Sequence, residues 1–238
     1  MPLYVVLVRP RFPENIGAAA RACANFGADG LLVVAPERLD WERMRAMATR
    51  VGEGVLDGME VFQDLGEALR GFQRVVGSTA RLGAFRKVHR TLRDVAPEIR
   101  DLAASSKVAL LFGNEKWGLS NEELFFCDEV FTIPTAGGTS LNVAQAVVVT
   151  LYEVSSCRVR LKKPPLATFE EQMRMLSKVE ELCRLVGYVP HDNRTLWMTS
   201  IRRFFSRLEL TSREARMVMG FCSRVKRALL RGPLRNTS

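Results

Sequence analysis

Histidine is almost missing from this chain of 238 residues: only His89 and His191 occur. The five cysteines, Cys23, Cys127, Cys157, Cys183 and Cys222, are odd in number, widely spaced and without a Cys-x-x-Cys pair. That scarcity argues against a zinc site or a disulfide framework and for reduced, mostly buried thiols, as in the cytoplasm. No apolar run reaches the roughly 20 residues that span a bilayer. The opening residues, Met-Pro-Leu-Tyr-Val-Val, lack the basic region and small-residue cleavage site of a signal peptide. The expectation is a cytoplasmic protein without metal or membrane partner. Phosphate-binding fingerprints are missing too. After the first apolar run comes Arg9-Pro-Arg-Phe-Pro-Glu-Asn-Ile-Gly17, not Gly-x-Gly-x-x-Gly, and no Walker A sequence occurs. Internal repeats and low-complexity tracts are absent.

What is present is ordinary in bulk and uneven in charge. Apolar residues make up 47% and charged residues 26%, as in a globular protein large enough to bury a full core. Residues 1–154 hold 17 Lys and Arg against 19 Asp and Glu, a net of −2; residues 155–238 hold 18 against 7, a net of +11. A near-neutral core joined to a strongly basic appendage suits a polyanionic partner.

Five apolar, β-branched runs read as buried strands: 3–8, 31–34, 74–77, 108–112 and 130–133. Helical patterns alternate with them at 15–26, 41–49, 65–71, 96–104, 121–127 and 141–157. Strand–helix alternation with continuous apolar strands predicts a parallel α/β sheet. The helix at 15–26 starts after Pro13-Glu14 and stops at Gly27. Its body is nearly all small, with Arg21 the single long side chain, so another helix, a loop or a second subunit can approach closely. Adjacent prolines in Arg160-Leu-Lys-Lys-Pro-Pro165 mark a linker. Beyond it, 168–186, 194–208 and 212–230 read as three helices. The expected organisation is an α/β domain at 1–158, a linker at 159–167 and a basic, all-helical extension at 168–238.

Two loops carry the most chemical information. Leu111-Phe-Gly-Asn-Glu-Lys-Trp-Gly-Leu-Ser120 leaves a buried strand, and Ile133-Pro-Thr-Ala-Gly-Gly-Thr-Ser-Leu-Asn142 leads from a short strand into a long apolar helix. Glycine and small polar residues at strand ends bring backbone groups close to one ligand. Glu115 and Asn142 would face it as the groups that give specificity.

These residues carry a family resemblance. Glu14-Asn-Ile-Gly-Ala-Ala-Ala-Arg21, Phe112-Gly-Asn-Glu-Lys-Trp-Gly-Leu-Ser120 and Ile133-Pro-Thr with Ser140-Leu-Asn-Val-Ala-Gln-Ala146 resemble, in order and spacing, the three motifs of SpoU-type RNA 2′-O-ribose methyltransferases. These belong to the SPOUT class, and the match covers residues 3–157. More loosely, the basic tail resembles the extension of the TrmJ branch, which methylates tRNA at anticodon-loop position 32. The resemblance implies a trefoil-knotted parallel-sheet domain, S-adenosylmethionine as methyl donor, RNA (most of all tRNA) as substrate, and a homodimer. It places cofactor contacts at Ser78, Thr79, Ala80, Gly113, Ile133, Thr139, Ser140 and Leu141. Gly113, lacking a Cβ, would let the cofactor lie on its backbone, and Leu141 would open a helix with free N–H groups. It places catalytic roles on Asn15, Arg21, Glu115, Ser140 and Asn142. Arg21 is expected to clamp the target phosphate or oxygen rather than act as base, given a guanidinium pKa above ~12. Glu115 would orient Arg21 or a neighbouring main-chain group. Arg81, Arg86, Lys87 and Arg90 in a basic stretch, with Arg202 and Arg203 in the tail, are the expected contacts to RNA phosphates.

Overall fold

The computed structural model describes residues 2–80, 90–159, 164–188 and 194–231. It divides into two compact units, Met1–Pro164 and Pro165–Ser238.

The first unit is built on six strands: β1 (Leu3–Val8), β2 (Gly30–Val34), β3 (Glu60–Phe62), β4 (Arg74–Ser78), β5 (Val108–Phe112) and β6 (Glu129–Phe131). They pair in the order β3-β2-β1-β5-β4-β6, every pair parallel. The side chains of β5 are buried throughout and those of β1 nearly so, as strands covered on both faces require. β3 is the strand that the sequence patterns miss. It has three residues, two of them exposed, and sits at the sheet edge. The order turns at β1, with β2 and β3 on one side and β5, β4 and β6 on the other. Loops leaving β1 and β5 therefore flank a switch point, the place where parallel α/β sheets form a crevice for ligands.

Among its described residues this unit has six α-helices: α1 (Pro13–Phe26), α2 (Trp41–Asp57), α3 (Leu65–Leu69), α4 (Leu92–Leu102), α5 (Asn121–Phe125) and α6 (Val143–Ser156). α1 packs against both α2 and α6, and α6 packs against α4. Small residues permit the α1–α2 contact. A Cβ on Gly17 would stand 2.0 Å from the Met44 carbonyl oxygen, and one on Gly52 would stand 2.7 Å from the Arg21 backbone nitrogen. The small face of α1 is thus largely consumed inside the chain. α2 does not end at Thr49 as expected. Thr49 adopts φ 52° and ψ 176°, an interruption, and the helix resumes to Asp57. α4 starts four residues earlier than expected, under a capping box between Thr91 and Asp94.

All five cysteines are free thiols. Cys23 is fully buried, and burial pushes its pKa up to about 12. Iodoacetamide at pH 8 is expected to leave Cys23 unlabelled in the folded protein and to label it after unfolding, as read by mass spectrometry. The sign of the linkage follows. Below a free thiol's 9.0 both states hold the proton; above it the unfolded chain ionises first, so this contribution to stability is lost as pH rises toward 12.

The second unit holds α7 (Phe169–Leu185), α8 (Arg194–Arg207) and α9 (Ser212–Arg231). Ala167, Met175, Leu176 and Ala215 form its buried centre, with Ile201, Phe205 and Val218 packed around it. The Thr168–Glu171 capping box starts α7, and Ser212 Oγ donates to the same Glu171 carboxylate at 2.7 Å, which pins the start of α9 beside it. Among the described residues, no helix is long and apolar enough to cross a membrane.

Candidate active site

Three of the five expected catalytic residues meet in one hydrogen-bonded chain at the switch point. Asn142 is the N-cap of α6, and its Oδ1 accepts the backbone N–H groups of Ala144 at 2.9 Å and Gln145 at 3.3 Å. Its Nδ2 donates to Asn15 Oδ1 at 3.1 Å. Asn15, buried on α1, donates through Nδ2 to Glu115 Oε1 at 2.7 Å. The Glu115 carboxylate also accepts the backbone N–H groups of Arg11 at 2.9 Å and Phe12 at 3.3 Å. The direction of the chain is fixed at both ends. Helix N–H groups can only donate, and an ionised carboxylate can only accept. Both amides are held in one orientation, with hydrogen-bonding capacity to spare on Asn142, which is exposed.

A second set of polar groups, missed at the sequence level, holds the loops that carry this chain. Buried Asn114 donates to the Arg9 carbonyl at 2.8 Å and to Glu37 Oε1 at 3.3 Å. Its Oδ1 accepts the N–H groups of Lys116 at 2.9 Å and Trp117 at 3.3 Å. Arg9 adopts φ 52°, sparsely populated for a side-chain-bearing residue. Its guanidinium forks onto Glu123 at 2.6 and 2.9 Å, and this hydrogen bond raises the Arg9 pKa further. Glu123 in turn caps α5, in a box with Ser120. The Ser120-x-x-Glu123 spacing is a sequence signal for that cap; nothing in the sequence signals that Arg9 joins it.

Other expected site residues stand apart. Arg21 and Ser140 are exposed and lie outside the chain of amides. Within the chain Glu115 holds a neighbouring main-chain segment, the N–H groups of 11–12, the second of its two expected roles. Gly113 must be glycine on the loop's own account. A Cβ there would sit 2.2 Å from the Gly118 carbonyl carbon and the Leu119 nitrogen, so the loop's own backbone fills the space. Leu141 does not open α6; Asn142 caps it and takes two of its first N–H groups. Ser78 ends β4 half-buried, Thr79 is buried with its N–H on the Phe131 carbonyl at 3.0 Å, and Ala80 is exposed. Ile133 is half-buried past β6, and Thr139 is exposed, its carbonyl accepting Thr135 Oγ1 at 2.5 Å. Between them Gly137 and Gly138 adopt φ of 70° and 69°, with no atom of the described residues within 4 Å of where a Cβ would stand. Among the described residues this makes an exposed, small-residue rim beyond the ends of β4 and β6.

Of the expected RNA contacts, Arg81, Arg86 and Lys87 lie outside the described residues, as does the side chain of Arg203. Arg90 is committed elsewhere. Its guanidinium pairs with Glu98 at 2.6 Å and Glu129 at 2.6 Å, its Nη2 donates to the Asp94 carbonyl at 2.8 Å, and the hydrogen bonds it donates to Glu98 lead in raising its pKa. Arg202 is buried, 3.4 Å from Met173 Sδ, with its guanidinium 5.4 Å from the centre of the Phe169 ring. Both arginines brace the fold.

A profile described as the SpoU rRNA methylase family matches residues 2–152. The tRNA (cytidine/uridine/adenosine-2′-O-)-methyltransferase TrmJ of Pseudomonas aeruginosa is 32% identical over 243 residues, covering 94% of this chain and 93% of its own. The crystal structure of TrmJ from Z. mobilis superposes with a TM-score of 0.79 at 30% identity, covering 94% of this chain and 98% of that one. The SpoU methyltransferase AviRb from Streptomyces viridochromogenes, solved with AdoMet, is 28% identical, with a TM-score of 0.50 over 64% of this chain and 58% of that one.

Proposed function

The chain belongs to the SpoU rRNA methylase family, and we propose that its substrate is tRNA, methylated on the ribose of a cytidine or uridine at anticodon-loop position 32. As a member it is an RNA 2′-O-methyltransferase that uses S-adenosylmethionine, and membership implies the family's trefoil knot. Support for tRNA comes from relatives named as tRNA methyltransferases that match the chain almost end to end, basic tail included. On this reading 1–158 is the catalytic domain, 159–167 a linker and 168–238 an RNA-binding extension.

One observation carries the catalytic reading: the chain from α6 through Asn142 and Asn15 to Glu115 ties three separate motifs at the switch point. The open rim of Ser78, Ala80, Ile133, Gly137, Gly138, Thr139 and Ser140 offers hydroxyls and small residues that fit the cofactor, which supplies an electrophilic methyl group when bound. The 2′-hydroxyl is a poor nucleophile until its proton is held or removed. Asn142 and Ser140 would meet the ribose, with Asn142's orientation set in advance. Asn15 and Glu115 act behind it as positioning residues. Arg21 would steady the adjoining phosphate and developing alkoxide.

The same reading includes a homodimer in which Arg21 serves the partner's site. Its support is an exposed apolar face on α6, Val148, Val149 and Tyr152, with Tyr152 set edge-on to Phe26 of α1 at 6.1 Å. Val149→Glu is expected to convert a dimer to a monomer by light scattering and to remove most methyl transfer while the fold persists. A dimer unaffected by this change would place the contact elsewhere.

The substrate reading is tested by supplying labelled S-adenosylmethionine and bulk tRNA or rRNA from cells lacking the gene, then mapping the label. Label at tRNA position 32 supports it. Label confined to rRNA, or to another tRNA position, replaces it.

A further inference from the structure

Two exposed aromatic rings flank the amide chain, and nothing in the catalytic reading uses them. Phe12 is 47% exposed and Trp117 is 56% exposed. Single exposed apolar side chains are common and need no explanation. These two share three properties that make them a pair. Each is anchored through its backbone to the site: the Phe12 N–H to Glu115 at 3.3 Å and the Trp117 N–H to Asn114 at 3.3 Å. Each is held on a stiff loop. Pro13 confines Phe12 to extended backbone, φ −105° and ψ 118°. Asn114 closes the 114–118 loop on Trp117, Lys116 and the Arg9 carbonyl. Each also carries a cation over its ring: the Arg11 guanidinium 5.3 Å from the Phe12 centroid and Lys116 Nζ 4.7 Å from that of Trp117. Arg11 also lies 3.8 Å from Glu37.

We propose that Phe12 and Trp117 are stacking platforms for unpaired nucleobases flanking the methylated ribose, with Arg11 and Lys116 placed for the adjoining phosphates. The inference rests on the RNA reading above and gives that site its preference for single-stranded nucleotides. A cation over one face of a ring leaves the opposite face for a base, and stiff loops reduce the entropy lost on binding. Base–aromatic stacking tolerates any sequence, because every base has a π-face. The rings would therefore select for unpaired structure and not for base identity.

The test is binding of an anticodon stem-loop RNA to the full-length protein by fluorescence anisotropy across a salt series. Phe12→Ala and Trp117→Ala are each expected to weaken binding about tenfold, and the double variant about a hundredfold. The slope of log affinity against log salt should not change, since no phosphate contact is lost. S-adenosylmethionine affinity by calorimetry should stay at the wild-type value, and Phe12→Tyr and Trp117→Phe should recover most of the RNA affinity. A double alanine variant that binds RNA within about twofold of wild type overturns the proposal. So does weakened binding that accompanies loss of dimer mass, which would make the rings a subunit contact. A wild-type protein that neither binds nor methylates tRNA refutes the substrate reading itself, an outcome visible before any variant is made.

Discussion

Replacing Glu115 with glutamine is expected to lower kcat for methyl transfer on the order of 10²-fold, while S-adenosylmethionine binding changes little. The carboxylate accepts three donors, the N–H groups of Arg11 and Phe12 and the Asn15 amide. Glutamine offers one acceptor oxygen and turns an NH2 group toward donors. At least one loses its partner, at a cost of about 1–3 kcal/mol. The larger consequence is at the far end of the chain. Asn15 is no longer held in one orientation, so Asn142 loses the contact that fixes its own amide at the start of α6. Displacements of about an ångström at a reacting centre cost roughly this much in rate. Asn15→Ala should have a similar effect. The double variant should be no worse than the poorer single one, because the two residues act as a unit. Additive losses, or an effect confined to KM for the cofactor, would contradict a positioning role.

Gly17→Ala is expected to destabilise the first unit by about 3 kcal/mol or more, near the upper end for overpacked cores. The added Cβ would stand 2.0 Å from the Met44 carbonyl oxygen and 2.8 Å from its carbon. Both are backbone atoms, so no side-chain rotation relieves the clash, and α1 and α2 must separate. For a unit of this size the loss corresponds to roughly 6–12 °C in Tm. Gly54→Ala on α2 is the matched control. A Cβ there meets no atom of the described residues within 4 Å, so the gain in helix propensity, up to about 1 kcal/mol, should leave Tm unchanged or slightly higher. Equal Tm values for the two variants would show that the α1–α2 contact does not depend on glycine.

How far these features could be read in advance differs by residue. Continuous apolar runs revealed five strands, since burial on both faces leaves a plain signal. β3 left none, because three residues at an exposed edge carry no burial pattern. The motif residues Asn15, Glu115 and Asn142 were legible by type. Their hydrogen bonds were not, because the contact depends on β1 pairing with β5, about a hundred residues away in sequence. Gly113 was recognisable as a position that excludes a Cβ, but only the fold shows that Gly118 and Leu119 occupy the space. Arg90 and Arg202 have partners inside the fold that the sequence does not reveal, for a general reason. Charge alone does not separate an arginine that faces phosphate from one paired with Glu98 and Glu129 or stacked on Phe169. The small residues of α1 suggest a close approach without saying to what, and most of that surface meets α2 and α6 of the same chain.

The most direct test of the central claim is chemical. The protein is incubated with methyl-labelled S-adenosylmethionine and a tRNA transcript, and the product is hydrolysed in alkali. A methyl group on the ribose 2′-oxygen blocks cleavage of the adjacent phosphodiester, so the predicted result is label in an alkali-resistant dinucleotide. Label released in mononucleotides would mean base methylation. Either that outcome, or the absence of transfer to any RNA by protein shown to bind the cofactor, would contradict the account.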